Sequence, residues 1–263
     1  MIGSDELPLQ HVLTFSLVLV RVTALCVVAP LFGSTRTPLK FRAAMSLTLA
    51  MLVAPLEWHK GGTLPESLGP YLVLVGAEAL VGVSLGLGVL LLVSSMHVAG
   101  QAISQMSGLQ MADVFDPALD TSTPVFSQVL FLTSAAIFLI LGGHRHIIEA
   151  LLDTFVWLPA GQGGFSRSML EAMTSLLTQS FVLGLRAAAP VMVALLLATL
   201  ILGLVSRSLP QLNVLALGFG FNAMVAIAAL GVSLGGAAWL FHDQVEPLMQ
   251  IVLDALRNGA DHG

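Results

Sequence analysis

The chain has 263 residues, 56% of them hydrophobic and only 10% charged, against roughly 25% charged in an ordinary soluble domain. A soluble fold of this size would lack the charge to cover its surface. The formal net charge of -5 leaves no basic patch and argues against a nucleic-acid partner, and the single cysteine, Cys26, excludes an intrachain disulfide. No Asp, Glu, Lys or Arg occurs between Glu78 and Asp113, between Asp120 and Arg145, or between Arg207 and Asp243. Those gaps are long enough for bilayer-spanning helices, so lipid or a large membrane assembly is the solvent. The expected fold is all-α: a polytopic membrane protein of about six apolar spans, forming one domain over residues 1–263.

Asp5 and Glu6 stand where a cleavable leader would be positive, and Ala29-Pro30 is a poor cleavage junction, so the first helix is expected to be kept. That span covers about Val12 to Phe32, carries Arg21, and ends in a turn segment from Pro30 to Pro38. A second apolar run, Ala43 to Leu56, is shorter than the roughly 17 to 25 residues that cross a bilayer comfortably. It reads as half of a hairpin. The third, Leu68 to Met96, is too long for a simple perpendicular crossing and implies tilt or extension beyond the membrane. The fourth, Val125 to Gly143, is followed by a short apolar piece, Ile147 to Leu158, and a Gly-rich turn, Pro159 to Gly164. A fifth region begins near Met169 and includes Ala187 to Val205, a sixth runs from Leu212 to Phe241, and a short amphipathic tail starts at His242.

Charge placement is a poor guide to topology here. Arg36, Lys40 and Arg42 put the first turn in the cytoplasm, and alternation then puts the segment after the third span there too. Yet residues 96–124 contain Asp113, Asp116 and Asp120 and no Lys or Arg. Broken or re-entrant second and fifth segments, shielded by protein, would account for that.

A charge at mid-membrane costs at least ~2.5 kcal/mol on insertion scales, so Arg21, Glu78 and Arg186 need partners or protein surroundings. Pairing Arg21 with Glu78 answers two of the three. Such a pair is either structural, two charges neutralised at a helix interface, or part of an ion or proton relay. The relay reading lacks the several acidic residues and paired discontinuous helices of a coupled transporter. Gly82 and Gly86 in the third span, and Gly231 and Gly235 in the last, have the four-residue spacing that permits close approach of helix backbones, within the chain or between chains.

The segment from Gln101 to Pro124 is of another kind, with Gln105, Gln110, Met106, Met111, Phe115 and three Asp residues between two very apolar spans. In a soluble protein it would be a surface loop; here a loop lining or obstructing a protein-enclosed cavity fits better. Met106 and Met111 offer adaptable side chains for such a closure, and Asp116-Pro117 is a turn or helix stop. Signals for catalysis are weak. His144 and His146 cannot place both rings on one helical face, no zinc-motif spacing is present, and neither a phosphate-binding glycine loop nor a nucleophile elbow occurs. No enzyme, metal or cofactor is expected.

Several short elements recur in a telling order: Arg21, then Ala29-Pro30 and the basic turn from Arg36 to Arg42; Glu78 ahead of Gly82; Ala99-Gly100 leading to Asp116-Pro117; Gly143-His144 before Asp153-Thr154-Phe155; Pro190; then Arg207, Pro210-Gln211-Leu212-Asn213-Val214 and Gly218-Phe219. The set covers nearly the whole chain and resembles the bacterial flagellar export-gate family of FliR, which is similar to the T subunit of virulence type III secretion systems. The resemblance implies a non-enzymatic gate subunit of the bacterial inner membrane and flagellar basal body, built of helical hairpins. It implies assembly with the small P- and Q-type subunits and the B-type switch subunit, surrounded by membrane lipid, to pass unfolded export substrates. It also implies a pore plug over about residues 105–124, with Gln105, Met106, Met111, Phe115, Asp116 and Pro117 as its candidate residues, and a family motif at Pro210, Gln211, Asn213 and Gly218. The chain departs from the family in reading Gly218-Phe219-Gly220 where Gly-Phe-Pro is usual, and Met106-Ser107-Gly108 where Gln-Met-Gly is usual.

Overall fold

The computed structural model describes residues 6–30, 38–58, 65, 67–108, 124–162, 167–208 and 214–261, and among them every regular element is a helix. We number these α1 (Glu6–Val28), α2 (Leu39–Glu57), α3 (Leu68–Ser107), α4 (Val125–Ile140), α5 (Gly143–Trp157), α6 (Arg167–Ser208) and α7 (Val214–Asp261). Five, α1, α2, α3, α6 and α7, are long and apolar enough to cross a membrane, and α4 with α5, bent at the break between them, supplies a sixth if the pair is one span. The fold is therefore that of an all-α polytopic membrane protein.

The ends of these helices follow from local chemistry. Pro38 and Pro124 stand at the N-caps of α2 and α4, where a missing N–H costs nothing, and their carbonyls accept from Phe41 (2.9 Å) and Gln128 (3.1 Å). The start of α2 at Leu39 gives it 19 residues, more than the apolar run alone foretold, because Lys40 and Arg42 join its first turn. Pro55 then removes an N–H near its other end, and the helix stops two residues later. Gly142, at φ 74°, ends α4 in the left-handed conformation that glycine alone adopts freely. Its carbonyl then accepts from Arg145 and His146 to start α5.

Three helices are much longer than a bilayer core. With 40, 42 and 48 residues, α3, α6 and α7 each extend about 60 Å or more, against a hydrocarbon thickness of about 30 Å. Pro190 and Pro247 lie inside α6 and α7 without ending them. The tail from His242 is a continuation of α7 rather than a separate stretch.

The chain forms two compact units, and α3, α6 and α7 run through both. The first consists of Met1–Leu91, Gly142–Leu177 and Glu246–Gly263; its core includes Leu17, Val22, Val81, Leu85, Leu151 and Phe155. Here α1 packs against α2, His11 stacks on Trp58 at 4.6 Å, and Ser16 hydrogen-bonds to Tyr71 at the start of α3. The second consists of Leu92–Leu141 and Thr178–Val245, with Met96, Ile103, Phe138, Leu195 and Phe241 among its buried residues.

Candidate functional site

The first unit buries a set of charges around the turn that follows α5. Arg21 of α1 and Glu78 of α3 are both 0% exposed, and Glu57 at the end of α2 is 1% exposed. Arg21 Nε donates to Glu78 Oε2 at 2.5 Å. Its two terminal nitrogens both donate to the carbonyl of Leu158 at 3.0 Å, one of them also reaching Thr154 Oγ1 at 3.3 Å. The guanidinium carbon sits 4.2 Å over the centre of the Phe155 ring, a favourable place for a cation. Leu158 lies just past the last turn of α5, where helix carbonyls lack partners of their own, so Arg21 caps that helix while neutralising Glu78.

The carboxylates take the next two backbone amides. The N–H of Ala160 donates to Glu57 Oε2 at 3.1 Å, and that of Gly161 to Glu78 Oε1 at 2.8 Å. Gly161 has φ 89°, a backbone state strained for any residue with a Cβ, and this bend presents the two amides to carboxylates from two different helices. Four elements, α1, α2, α3 and the turn after α5, are thus joined by hydrogen bonds to ionised groups, about twice as strong as neutral ones. Burying ions costs several kcal/mol each, offset only where such partners are supplied. The arrangement can hold these elements in one register; none of its three charged groups is open to the surroundings of the chain.

The structure brings Arg21 and Glu78 together, and it adds Glu57, which sequence reasoning missed. The available signal was a carboxylate at a helix C-terminus between Leu56 and Trp58, where the helix dipole disfavours negative charge unless it is otherwise held.

Glycines set the helix contacts of both units. A Cβ on Gly82 would run into the carbonyl oxygen of Arg21, and one on Gly86 would lie 2.7 Å from Cβ of Val28. The backbones of α1 and α3 therefore approach directly beside the charge pair. In the second unit Gly100 faces the backbone of Ser127, and Gly184 faces the carbonyl of Ser95. Gly231 and Gly235 differ: nothing from another part of the described residues lies within 4 Å of where their Cβ would stand.

Of the candidate plug, Gln105 and Met106 are described, exposed and half-buried respectively at the end of α3. Met111, Phe115, Asp116 and Pro117 lie outside the described residues, as do Pro210, Gln211 and Asn213. What the structure does describe is where the segment is rooted. Gly108, at φ 78°, ends α3, and the Phe219 ring lies 2.7 Å from where its Cβ would be. The start of the segment thus rests on the residue next to Gly218, which itself lies beside Leu202 of α6. Among the described residues no group of three or more His, Cys, Asp or Glu could hold a metal ion.

Comparison with known proteins decides the family. The family model for bacterial export proteins, family 1, matches residues 12–248, and that range contains every residue of the charge cluster. The chain belongs to this family. It is 27% identical over 236 residues to the flagellar biosynthetic protein FliR of Caulobacter vibrioides, covering 90% of this chain and 94% of that one. With the FliR of Aquifex aeolicus it shares 30% identity over 231 residues, 86% of each chain, and with that of Escherichia coli 29% over 217 residues, 81% and 80%. The family's match ends within α7, so the last turns of that helix lie beyond it.

Proposed function

We propose that this chain is a non-enzymatic core subunit of the flagellar type III protein-export gate in the bacterial inner membrane. The observation that carries the reading is family membership over residues 12–248, in a chain with five or six apolar helices, alongside relatives described as flagellar biosynthetic proteins. In this reading the chain sits in the flagellar basal body with P-, Q- and B-type subunits, and unfolded substrates pass through a pore that it helps to line. The segment over residues 105–124 is the plug. Its root at Gly108 and Phe219 supports that reading, because a seal needs a fixed anchor next to a helix of the wall. The charge cluster is structural: Arg21 and Glu78 each have their partners inside the chain and stabilise the first unit rather than carry protons.

Purification in gentle detergent tests the central reading. The expected product is a complex with the small helical partners, and a stable isolated monomer that binds neither would overturn it. A solute transporter using Arg21 and Glu78 would instead move a small solute into proteoliposomes without partners. A virulence-type gate is the nearer rival, and needle-complex genes beside this one would favour it over rod and hook genes. For the plug, deletion of residues 109–123 should leave the complex assembled and raise ion conductance across a bilayer in the absence of substrate. An assembled deletion variant as tight as the intact protein would remove the plug assignment.

A further inference from the structure

Arg186 stands in the middle of α6, 19 residues after Arg167 and 22 before Ser208. The other charged residues of that helix, Arg167, Glu171 and Arg207, all lie near its ends. Arg186 is exposed, and among the described residues no carboxylate pairs with it. Its neighbours on the helix surface are apolar and exposed as well: Val182, Leu185, Ala189, Pro190 and Val193. A guanidinium set among apolar side chains is costly wherever lipid tails cover that face.

The adjoining face of α7 is shaped for another helix. Gly184 of α6 faces Ser95 of α3, while the next residue of α3, Met96, lines a small cavity with Leu234, Ala237 and Phe241 of α7. Both helices therefore meet the same turn of α3, which puts Arg186 level with Gly231, Gly235 and Gly236 of α7. Among the described residues nothing beyond the helix's own backbone and its chain neighbours lies within 4 Å of where a Cβ on any of these three would stand. An approaching backbone would find open space there, flanked by the exposed Ile227, Val232 and Trp239.

We propose that this outer face of α6 and α7 docks an apolar helix of another subunit, one that carries an aspartate or glutamate at the depth of Arg186. Charge complementarity selects the occupant: an exposed cation in an apolar face needs an anion delivered on an equally apolar carrier. In a second copy of this chain the buried acids Glu57 and Glu78 are already bound to Arg21 and to backbone amides, while Asp153 and Glu171 are exposed, so a cross-link from this face to a second copy would overturn the choice of a different subunit. The inference rests on the reading that the chain works inside an assembly of membrane subunits, and it goes further by naming the surface and the chemistry of the contact.

The test uses the full chain in cells that build the export apparatus. Arg186→Glu should reduce the assembled complex at least about tenfold, the scale expected when a buried interfacial charge pair is broken. Arg186→Leu should insert and fold as well as the intact chain, since it removes an unpaired charge, yet also assemble poorly. A photoreactive residue at Ala189 should cross-link to one other subunit, and changing the acidic residue nearest that cross-link to lysine should restore assembly of Arg186→Glu. Assembly of Arg186→Leu at the normal level would overturn the proposal, as would cross-links to lipid alone. So would rapid labelling of Arg186→Cys, in a Cys26→Ala background, by a membrane-impermeant charged thiol reagent, because the face would then line water. If the unaltered chain brings down no partner at all, the proposed function fails. If it does while the Arg186 variants assemble equally well, only this inference fails.

Discussion

Two arginines on apolar helices meet opposite fates in this molecule. Arg21 is 0% exposed, with Glu78, Thr154 and the Leu158 carbonyl around it and an aromatic face beneath, whereas Arg186 is exposed on a helix face and pairs with no carboxylate among the described residues. The same side chain in the same kind of sequence is thus complete in one unit and incomplete in the other. The first unit answers its charges internally. The second presents a charge outward, as a subunit of an assembly would. Stability of the isolated chain should therefore depend on Arg21 and be indifferent to Arg186.

The largest expected effect breaks the internal side of that contrast. Replacing Arg21 by Leu leaves the Glu78 carboxyl buried with only the Gly161 amide, and truncating one member of such a pair costs about 3–5 kcal/mol. Unfolding in detergent, followed by tryptophan fluorescence, should show that loss. The double variant Arg21→Leu, Glu78→Leu should recover part of it, but not all, because the Leu158 carbonyl and the Gly161 N–H lose their partners too. A single variant that unfolds like the unaltered chain would mean the cluster holds nothing together. Arg186→Leu is the paired control, with no loss expected in the isolated chain.

How much of this was legible in the sequence depends on what kind of group carries each contact. Arg21 and Glu78 announce themselves because two charges of opposite sign in apolar runs have few other solutions. Gly82 and Gly86 announce close packing by their spacing. Glu57 stayed hidden because its visible partner is a backbone N–H, and every residue but proline carries one. The turn from Pro159 to Gly161 was readable as a turn from its glycine, yet nothing in its composition says that its amides point at carboxylates. The second span looked too short because only its apolar residues were counted, whereas Pro38 starts the helix four residues earlier, with Lys40 and Arg42 in its first turn. The plug and the Pro210 to Asn213 motif are where the resemblance says most and the described residues say least.

A middle tier of effects tests the geometry around the cluster. Gly82→Ala puts a methyl group into the Arg21 carbonyl, so α1 and α3 must separate, at about 1–3 kcal/mol, the usual cost of overpacking. The same detergent unfolding measures it, and an unchanged midpoint would show that the helices part freely. Glu57→Gln keeps a carbonyl oxygen for the Ala160 amide and loses the charge, so a cost of at least about 0.5–1.5 kcal/mol is expected. Glu57→Leu should cost more than Glu57→Gln, since it leaves that amide unpaired, and a reversed order of the two variants would remove the Ala160 contact from the account.

The smallest effect sharpens the outward side of the contrast. Gly82 and Gly231 are both glycines of apolar helices in four-residue spacing, but only Gly82 has a backbone against it. Alanine at position 231 meets nothing among the described residues and removes some of the backbone entropy that glycine loses on folding, so Gly231→Ala should leave the isolated chain unchanged or stabilise it by at most about 1 kcal/mol. Gly235→Ala should do the same. In the assembled complex the sign should reverse, because a methyl group on that face would hold a docked helix away from Arg186. Measuring both quantities for one pair of variants separates the two roles of glycine: unfolding of the purified chain, and the yield of complex at matched expression. Loss of stability in the isolated chain would mean that the face is already occupied from within, and the comparison between Arg21 and Arg186 would lose its outward half.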